Sequence, residues 1–242
     1  MKLLPIQRKI LISLVIIGVA TFLFMKFWPI EETEKQGVIP QKESSERIKL
    51  PEPKFEGKIP VEKAIRERRS VRDYQDESLS LPEISQLLWA AQGITSPEGL
   101  RTVPSAGALY PLEIYLVVGK VEGLPPGVYK YQPKDHQLVK VVEGDKRDQL
   151  SQAALNQTWI KEAPVVIVIS AVYERTTAKY GERGIRYVYM EVGHAGQNIY
   201  LQAVALDLGT VTVGAFSDEQ VKALLQMAKE EQPLYLMPVG RK

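Results

Sequence analysis

Residues 164–172 read PVVIVISAV, a proline followed by an almost unbroken run of apolar residues. Most of these are valine or isoleucine, whose branched side chains favour extended backbone. A short apolar run of this composition, opened by a proline, predicts a strand that is buried on both faces. We therefore expect a sheet that is covered by other elements on each side of this strand.

The segments on either side of this run alternate between strand-like and helical patterns. Residues 113–118 predict a strand, residues 127–142 a hairpin, and residues 210–216 a further strand. Residues 185–206 are apolar and rich in alanine, as expected of a central helix. Shorter helices are predicted over four segments, namely 61–69, 81–92, 146–155 and 218–229. Helices mixed with hairpin-connected strands indicate the α+β class, and residues 59–242 are long enough for one hydrophobic core.

The composition limits the kinds of function that the chain can have. Of its 242 residues, 45% are hydrophobic and 25% are charged, as in folded globular proteins. The formal net charge is only +2, so no clustered basic face for a nucleic-acid partner is indicated. There is no cysteine, which excludes disulfides, thiolate nucleophiles and cysteine-ligated metal centres. The two histidines, His136 and His194, are too few for a histidine-rich metal site, so we expect no metal.

The N-terminal residues differ from the rest of the chain. Residues 10–25 carry no charge; basic residues precede them and three glutamates follow soon after. This predicts a membrane anchor within residues 1–30, a single transmembrane helix with the N-terminus cytoplasmic and the remaining chain outside. A cleaved signal peptide and a buried core helix are the alternatives. Residues 31–58 alternate in charge and contain three prolines, which predicts a linker to a domain over residues 59–242.

Residues 68–72, RRSVR, place three guanidinium groups and one hydroxyl close together. Arginine binds phosphate through paired hydrogen bonds and keeps its charge, and a hydroxyl adds a further donor. The pattern indicates a phosphate-ester site made by Arg68, Arg69, Ser70 and Arg72. The alternative is a solvated basic end of a helix, where cations also suit the helix dipole.

Three further segments contain small or polar residues at unusual places. Residues 104–111, PSAGALYP, would let a flat ligand approach the backbone, although a plain turn has the same composition. Residues 191–198, EVGHAGQN, put two glycines in a helix, at a cost of about 1 kcal/mol each, which favours close packing against another helix or a ligand. His194 is either a core histidine or a catalytic one. Residues 213–216, VGAF, end a strand with small residues.

Five motifs follow one another along the chain: RRSVRDY at 68–74, PSAGALYP at 104–111, YGERGIRYVYMEVGHAGQNIYLQA at 180–203, TVTVGAF at 210–216 and PVGR at 238–241. In this order they resemble the nitroreductase superfamily of FMN flavoproteins, and within it the branch of SagB-type dehydrogenases and thiazoline oxidases. The resemblance covers roughly residues 60–242. It implies a mixed sheet flanked by helices, and an intertwined homodimer with FMN at the subunit interface.

The resemblance also implies roles for particular residues. The opening motif, with Arg68, Arg69, Ser70 and Arg72, would bind the FMN phosphate and ribityl chain, and Arg241 would close on the same phosphate. Ser105, Ala106 and Gly107 would form the loop beside the flavin, and the backbone of Val213 and Gly214 would face the ring near N5. One departure is that Ala108 and Leu109 stand where many classical nitroreductases have a polar residue.

The function that the resemblance implies is an FMN-dependent oxidoreductase, with hydride transfer through flavin N5 to or from an unknown small molecule or a modified peptide. In azole-forming relatives a Lys-Tyr pair acts as the base, and here the available pairs are Lys179-Tyr180 and Arg186-Tyr187. We expect Tyr187 to be catalytic, with His194 as a second candidate. The alternatives are an azoline dehydrogenase acting on a heterocyclised peptide and a non-catalytic, membrane-tethered flavin-binding partner protein.

Overall fold

The apolar run at 164–172 forms an inner strand of a seven-stranded sheet in the computed structural model, which describes residues 46–242. All eight residues of this strand, Val165–Val172, are buried. Val165, Ile167 and Ile169 pack into one hydrophobic cluster. Val166 and Val168 pack into a second cluster on the opposite face. The prediction of a strand buried on both faces is confirmed.

The elements follow one another in α+β order. The strands are β1 Arg47–Lys49, β2 Leu112–Val118, β3 Gly127–Gln132, β4 Gln137–Glu143, β5 Val165–Val172, β6 Leu208–Thr210 and β7 Glu231–Arg241. The helices are α1 Val61–Glu67, α2 Leu81–Gln92, α3 Arg147–Ala153, α4 Trp159–Glu162, α5 Glu174–Tyr180, α6 Arg183–Ala205 and α7 Asp218–Leu224. The sheet order is β1-β4-β3-β2-β5-β7-β6.

The sheet is almost entirely antiparallel. Each neighbouring pair of strands runs antiparallel. Parallel pairing occurs as isolated bridges, between Ser70 and Thr210 and between Leu79 and Val121. Short connections such as the one between β3 and β4 favour antiparallel neighbours, because a parallel pair needs a long crossover.

The expectation of an N-terminal transmembrane helix, and with it the assignment of a single-pass membrane protein, is corrected. Within the part of the chain that the structure describes, no helix is both long enough and apolar enough to cross a membrane. The apolar run at 10–25 and the whole anchor segment 1–30 lie outside the described residues.

Helices cover both faces of the sheet. Helix α2 and the 23-residue helix α6 pack on one face, where Leu88, Val192 and Ile199 join the first cluster. Helices α3, α4 and α7 cover the other face, with Leu150 and Val221 in the second cluster. Because α6 has 23 residues, its side chains reach several parts of the sheet that it covers.

The segment before α1 packs against the sheet. Strand β1 lies inside the predicted linker 31–58, yet it pairs with β4 and is followed by Leu50, which is buried. The ring nitrogen Nε2 of His136 lies 3.0 Å from the carbonyl oxygen of Pro51, and its Nδ1 lies 2.8 Å from the Tyr131 hydroxyl. His136 therefore links this segment to Tyr131 of the sheet and has a structural role.

Candidate functional site

The basic segment 68–72 runs from the end of α1 to the edge strand β6. Arg68 caps α1, and Ser70 forms an isolated parallel bridge with Thr210. The backbone N–H of Val71 donates to the carbonyl of Thr210 at 2.9 Å. These contacts place the motif beside the chain segment 210–214, which the sequence assigns to the same site.

Tyr200 on α6 connects the two segments. Its hydroxyl lies 3.2 Å from the hydroxyl of Ser70 and accepts the backbone N–H of Thr212 at 2.9 Å. The guanidinium of Arg68 lies over the Tyr200 ring, 5.0 Å from its centroid. Burial raises the pKa of Tyr200, but the hydrogen bonds with Ser70 and Thr212 and the charge of Arg68 outweigh burial, so the net pKa is lowered. Sequence reasoning did not single out Tyr200, because it lies within an apolar helical pattern like its neighbours.

The three arginines of the segment have no ion-pair partner among the described residues. Within residues 46–242, no carboxylate oxygen lies within 4.0 Å of a guanidinium nitrogen of Arg68, Arg69 or Arg72. Arg69 donates to two backbone carbonyls, and Arg72 lies over the ring of Trp159 at 5.5 Å. Three cations without a carboxylate partner among the described residues, all on one five-residue segment, favour an anionic ligand.

Arg241, unlike the arginines of segment 68–72, is paired with carboxylates. Its guanidinium forms two contacts with the carboxylate of Glu83, at 2.9 Å and 3.2 Å, and a third with Glu77 at 3.5 Å. Burial raises the pKa of Glu83, but hydrogen bonds from Ser80 and Arg241 outweigh it and the net pKa is lowered. The charge of Arg241 is therefore already neutralised, and a contact between Arg241 and a phosphate stays a prediction.

The loop predicted to lie beside the flavin is a tight turn. Ser105 precedes a single turn of 3₁₀ helix, Ala106–Ala108, in which Gly107 has a φ of 64°. The Ser105 hydroxyl oxygen accepts the backbone N–H of Tyr110 at 2.9 Å. A positive φ is open to glycine at little cost, so the turn explains why a glycine stands at position 107.

The pair Lys179-Tyr180, at the end of α5, lies against this loop. A Cβ atom added to Gly107 would lie 2.8 Å from the Tyr180 hydroxyl and 3.0 Å from Nζ of Lys179. The ring of Tyr187 packs edge to face against the ring of Tyr180, with the two centroids 5.2 Å apart. Arg186 is exposed. Of the two pairs that the sequence left open, the structure brings Lys179-Tyr180 into contact with the loop.

Val213 and Gly214 continue the segment that follows β6. Val213 is buried and exchanges backbone hydrogen bonds with Leu236 on β7, at 2.8 Å and 2.9 Å. Gly214 is exposed, and a Cβ atom added there would meet only Tyr235, at 3.9 Å. The backbone at this position is therefore open to a ligand.

The predicted site residues fall into two groups along α6. Arg68, Ser70 and Thr212, the residue before Val213, contact Tyr200, whereas Ser105 is among the groups that affect the pKa of Glu191. Glu191 and Tyr200 are nine positions apart on α6, which is about 13 Å along a helix. No hydrogen bond or ion pair within residues 46–242 joins the two groups directly.

Two residues on α6 have surroundings that the sequence did not indicate, and a catalytic role of Tyr187 or His194 stays a prediction. His194 is exposed and makes no hydrogen bond or ion pair within the described part of the chain. Glu191, which the sequence did not single out, is only 3% exposed, and its Oε1 has no hydrogen-bond partner among the described residues. Burial raises the pKa of Glu191 to about 7, against the opposing effects of Ser105, Arg101 and Gln92. The sequence feature that could have identified Glu191 is its place as an isolated acidic residue within an apolar, alanine-rich helix.

Comparisons with known proteins agree with this picture. Residues 65–241 match the nitroreductase family. A Methanocaldococcus jannaschii protein that carries the name nitroreductase is 52% identical over 184 residues, which are 76% of this chain and 92% of that protein. A crystal structure of a protein described as a nitroreductase from Anabaena variabilis has a TM-score of 0.72 and 31% identity, over 81% of this chain and 42% of that chain. The microcin B17-processing protein McbC of Escherichia coli is 28% identical over 62% of this chain and 57% of its own length.

The family match covers most of the domain, and it includes the basic segment, the Ser105 loop and both groups of residues on α6. The chain belongs to the nitroreductase family.

Proposed function

We propose that this nitroreductase-family oxidoreductase binds FMN and transfers hydride through N5 of the flavin. The observation that carries the proposal is the phosphate cluster, by which we mean segment 68–72 together with Tyr200. Its guanidinium groups, on Arg68, Arg69 and Arg72, have no carboxylate partner among residues 46–242, and Arg68 and Ser70 contact Tyr200. A phosphate monoester carries nearly two negative charges and several acceptor oxygens, which matches such a set of donors. The proposed phosphate site is therefore this cluster.

The ring of the flavin requires surfaces that a flat molecule can approach. Gly214 offers open backbone two residues after Thr212, whose N–H donates to Tyr200, and the Ser105 loop offers a second surface with small side chains. When bound, FMN supplies the hydride chemistry at N5. The residues of the chain bind it, orient it and exclude water from it.

The separation of the two groups on α6 supports a homodimer as part of the proposal. Within residues 46–242 no hydrogen bond or ion pair joins the phosphate cluster to the Ser105 loop, so a flavin-binding site that begins at the first group could be completed by the loop of a second copy. Large apolar side chains of α6 are exposed, with Ile185 at 40%, Tyr189 at 56% and Met190 at 53%. An exposed apolar helix face of this kind suits burial against a second copy of the chain.

The experiment is an anaerobic reconstitution of the full chain with FMN. We expect binding of FMN, reduction of the bound flavin by NADH or NADPH, and reoxidation by a nitroaromatic compound or a quinone. A chain that takes up no added FMN would contradict the proposal. Uptake of FMN without reduction by either nucleotide and without turnover would indicate a flavin-binding protein that is not an enzyme.

A second candidate function is oxidation of an azoline ring in a heterocyclised peptide. In that reaction a C–H of the ring leaves as hydride to the flavin, a proton leaves to a base, and the ring gains a double bond. The contact between the Ser105 loop and Lys179-Tyr180 favours this candidate, because an amine or a phenol that has lost its proton can, near the flavin, take up the proton of the ring. The similarity to a microcin-processing protein points in the same direction.

The two candidates make different predictions for substrates. An azoline dehydrogenase would convert a heterocyclised peptide to the azole, and mass spectrometry would show the loss of one hydride and one proton for each ring. A general oxidoreductase would leave that peptide unchanged and would reduce nitroaromatic compounds or quinones.

A further inference from the structure

The strands β2 and β3 separate at one end of the sheet. Strand β2 pairs with β5 along its whole length, from Leu112 to Val118, but its pairing with β3 begins only at Tyr115. Strand β3 remains paired with β4 as far as Gln132. Residues 112–114 therefore have a neighbouring strand on one side only, and a gap opens inside the sheet rather than at its outer edge.

The backbone of Leu112 points into this gap. The N–H of Val172 on β5 donates to the carbonyl of Pro111 at 2.9 Å, so the backbone of Pro111 faces β5. Successive residues of a strand present their backbone groups to opposite sides, so those of Leu112 face away from β5. No strand partner meets them there within residues 46–242. An unpaired strand segment of this kind can bind an amide through main-chain hydrogen bonds.

A cavity of about 370 Å³ lies in the gap. Residues 112–114 and 130–135 line it from the two strands and the turn after β3, and Gln92 and Arg101 line it from outside the sheet. Its volume falls within the range of cavities that hold small ligands, about 300 to 1,000 Å³. The cavity is therefore large enough for a ligand that reaches the free backbone of Leu112.

Arg101 brings a charge without a partner to this cavity. Its side chain is half-buried, and no carboxylate oxygen of the described chain, including those of the buried Glu191, lies within 4.0 Å of its guanidinium. The guanidinium packs over the ring of Tyr110, with its central carbon 4.5 Å from the ring centroid. Its Nη1 donates to Oε1 of Gln92 at 2.8 Å. These two contacts hold the group in place and leave N–H groups for a ligand, because a guanidinium has several.

The other charged residues that line the cavity are already balanced. The carboxylate of Glu113 lies 3.2 Å from Nζ of Lys130 and 2.5 Å from a guanidinium nitrogen of Arg175. The same Nζ lies 2.6 Å from the carboxylate of Glu231. The exposed pair Lys134-Asp135, at the turn after β3, carries opposite charges. The remaining positive charge is that of the guanidinium described above, whose planar shape matches a carboxylate through paired hydrogen bonds.

We propose that this cavity binds a molecule that ends in an amide followed by a carboxylate, with the carboxylate on Arg101 and the amide on the backbone of Leu112. An N-acylated amino acid and the C-terminus of a peptide share this chemistry. No residue of the phosphate cluster lines the cavity. The proposal goes beyond the proposed function, because it requires no flavin and predicts the same binding whether or not FMN is present.

The experiment is a titration of the isotope-labelled full chain, followed by NMR. The probes are N-acetylvaline, its C-terminal amide, and isovalerate, which keeps the carboxylate and lacks the amide. We expect N-acetylvaline to bind about 10-fold more tightly than its amide, the size of a hydrogen bond to a charged group, and about 5-fold more tightly than isovalerate. The chemical-shift changes should lie at residue 101 and within residues 112–114 and 130–135.

Two variants of Arg101 test its part in the binding. Arg101→Gln should remove the preference for N-acetylvaline over its amide. Arg101→Lys should retain part of that preference, because a lysine keeps the charge but loses the planar fork. The matched control is Arg47→Gln, which removes an exposed arginine on β1 that does not line the cavity, and it should bind all three probes as the wild type does.

A tripeptide acid that ends in valine distinguishes the two sources of this chemistry. Tighter binding of the tripeptide than of N-acetylvaline supports the proposal with the C-terminus of a peptide as the ligand. Equal or weaker binding of the tripeptide supports the proposal with an N-acylated amino acid as the ligand.

Three results would overturn the proposal. The first is an equal dissociation constant for N-acetylvaline and its amide. The second is a set of chemical-shift changes centred on residues 68–72, which would place the probe on the phosphate cluster. The third is a preference for the carboxylate that survives in Arg101→Gln. If Arg101→Gln does not fold, the wild-type shift map decides: changes confined to the cavity lining support the proposal, and changes elsewhere overturn it.

Discussion

The hydroxyl groups of Ser70 and Tyr200 lie 3.2 Å apart, and this contact joins the basic segment 68–72 to the long helix α6. The same Tyr200 hydroxyl accepts the backbone N–H of Thr212 at 2.9 Å, next to the open backbone of Gly214. Tyr200 therefore contacts the guanidinium of Arg68, the hydroxyl of Ser70 and the segment that follows β6. We conclude that Tyr200 organises the proposed phosphate site.

Replacing Tyr200 with phenylalanine should weaken FMN binding and lower stability. The change leaves the N–H of Thr212 without its acceptor, at a cost of about 1 kcal/mol, and it frees the Ser70 side chain, for an expected loss of about 5-fold in FMN affinity. Urea unfolding and a fluorescence titration measure the two effects. Tyr129→Phe, which removes a hydroxyl bound to the carbonyl of Pro125 in another part of the sheet, should lower stability alone. Wild-type FMN affinity in Tyr200→Phe would speak against this role.

Replacing Arg68 with alanine should reduce the affinity for FMN and leave that for riboflavin, which has no phosphate, nearly unchanged. A hydrogen bond to a charged group contributes about 1.5 to 3 kcal/mol, so a 10- to 100-fold loss of FMN affinity is expected. Arg66→Ala, on the exposed side of α1 and paired with its neighbour Glu67, is the control. An equal loss for both ligands would place Arg68 away from the phosphate.

Replacing Gly107 with alanine tests the loop. The positive φ of Gly107 disfavours alanine by about 1 kcal/mol, and the added methyl would press against Lys179 and Tyr180. Gly99→Ala is the matched control, since Gly99 has a φ of 85° but nothing within 4 Å of the added atom. Both variants should lose similar stability in urea, and only Gly107→Ala should change the flavin absorption spectrum. Identical spectra for both variants would remove the loop from the flavin site.

Replacing Lys179 with methionine tests the second candidate function. Lys179 and Arg186 are both exposed, but it is the amine of Lys179 that lies against Gly107 of the loop, so Arg186→Met is a control of similar chemistry. If the protein oxidises azolines, Lys179→Met should lower the rate by about 100-fold, within the range for a general base, while FMN stays bound. Azole formation at the wild-type rate in Lys179→Met would exclude Lys179 as the base.

Local patterns in the sequence predicted most of the fold. The β-branched run at 165–172 and the alanine-rich helix α6 have the predicted structure, because their composition alone favours it. The start of α2 was also predicted: the carboxylate of Glu83 accepts the backbone N–H of Ser80 at 2.8 Å. At Ser217 a similar pattern starts α7, but the Ser217 side chain makes no capping hydrogen bond.

Contacts between distant parts of the chain could not be predicted. The surroundings of Tyr200 and Glu191 depend on which segments pack against α6, and a single sequence contains no direct signal for such packing. The same limit applies to Arg241, because its pairing with Glu83 joins the last strand to a helix far away in the sequence. The pairing of β1 with β4 inside the predicted linker is a third example.

The most direct test of the central claim is a comparison of FMN and riboflavin binding to the full chain by equilibrium titration. The account predicts one FMN per chain and an affinity for FMN about 100-fold higher than for riboflavin, since the cluster around Tyr200 would hold the phosphate through charged hydrogen bonds. Equal affinities for the two ligands, or no binding of FMN, would contradict it.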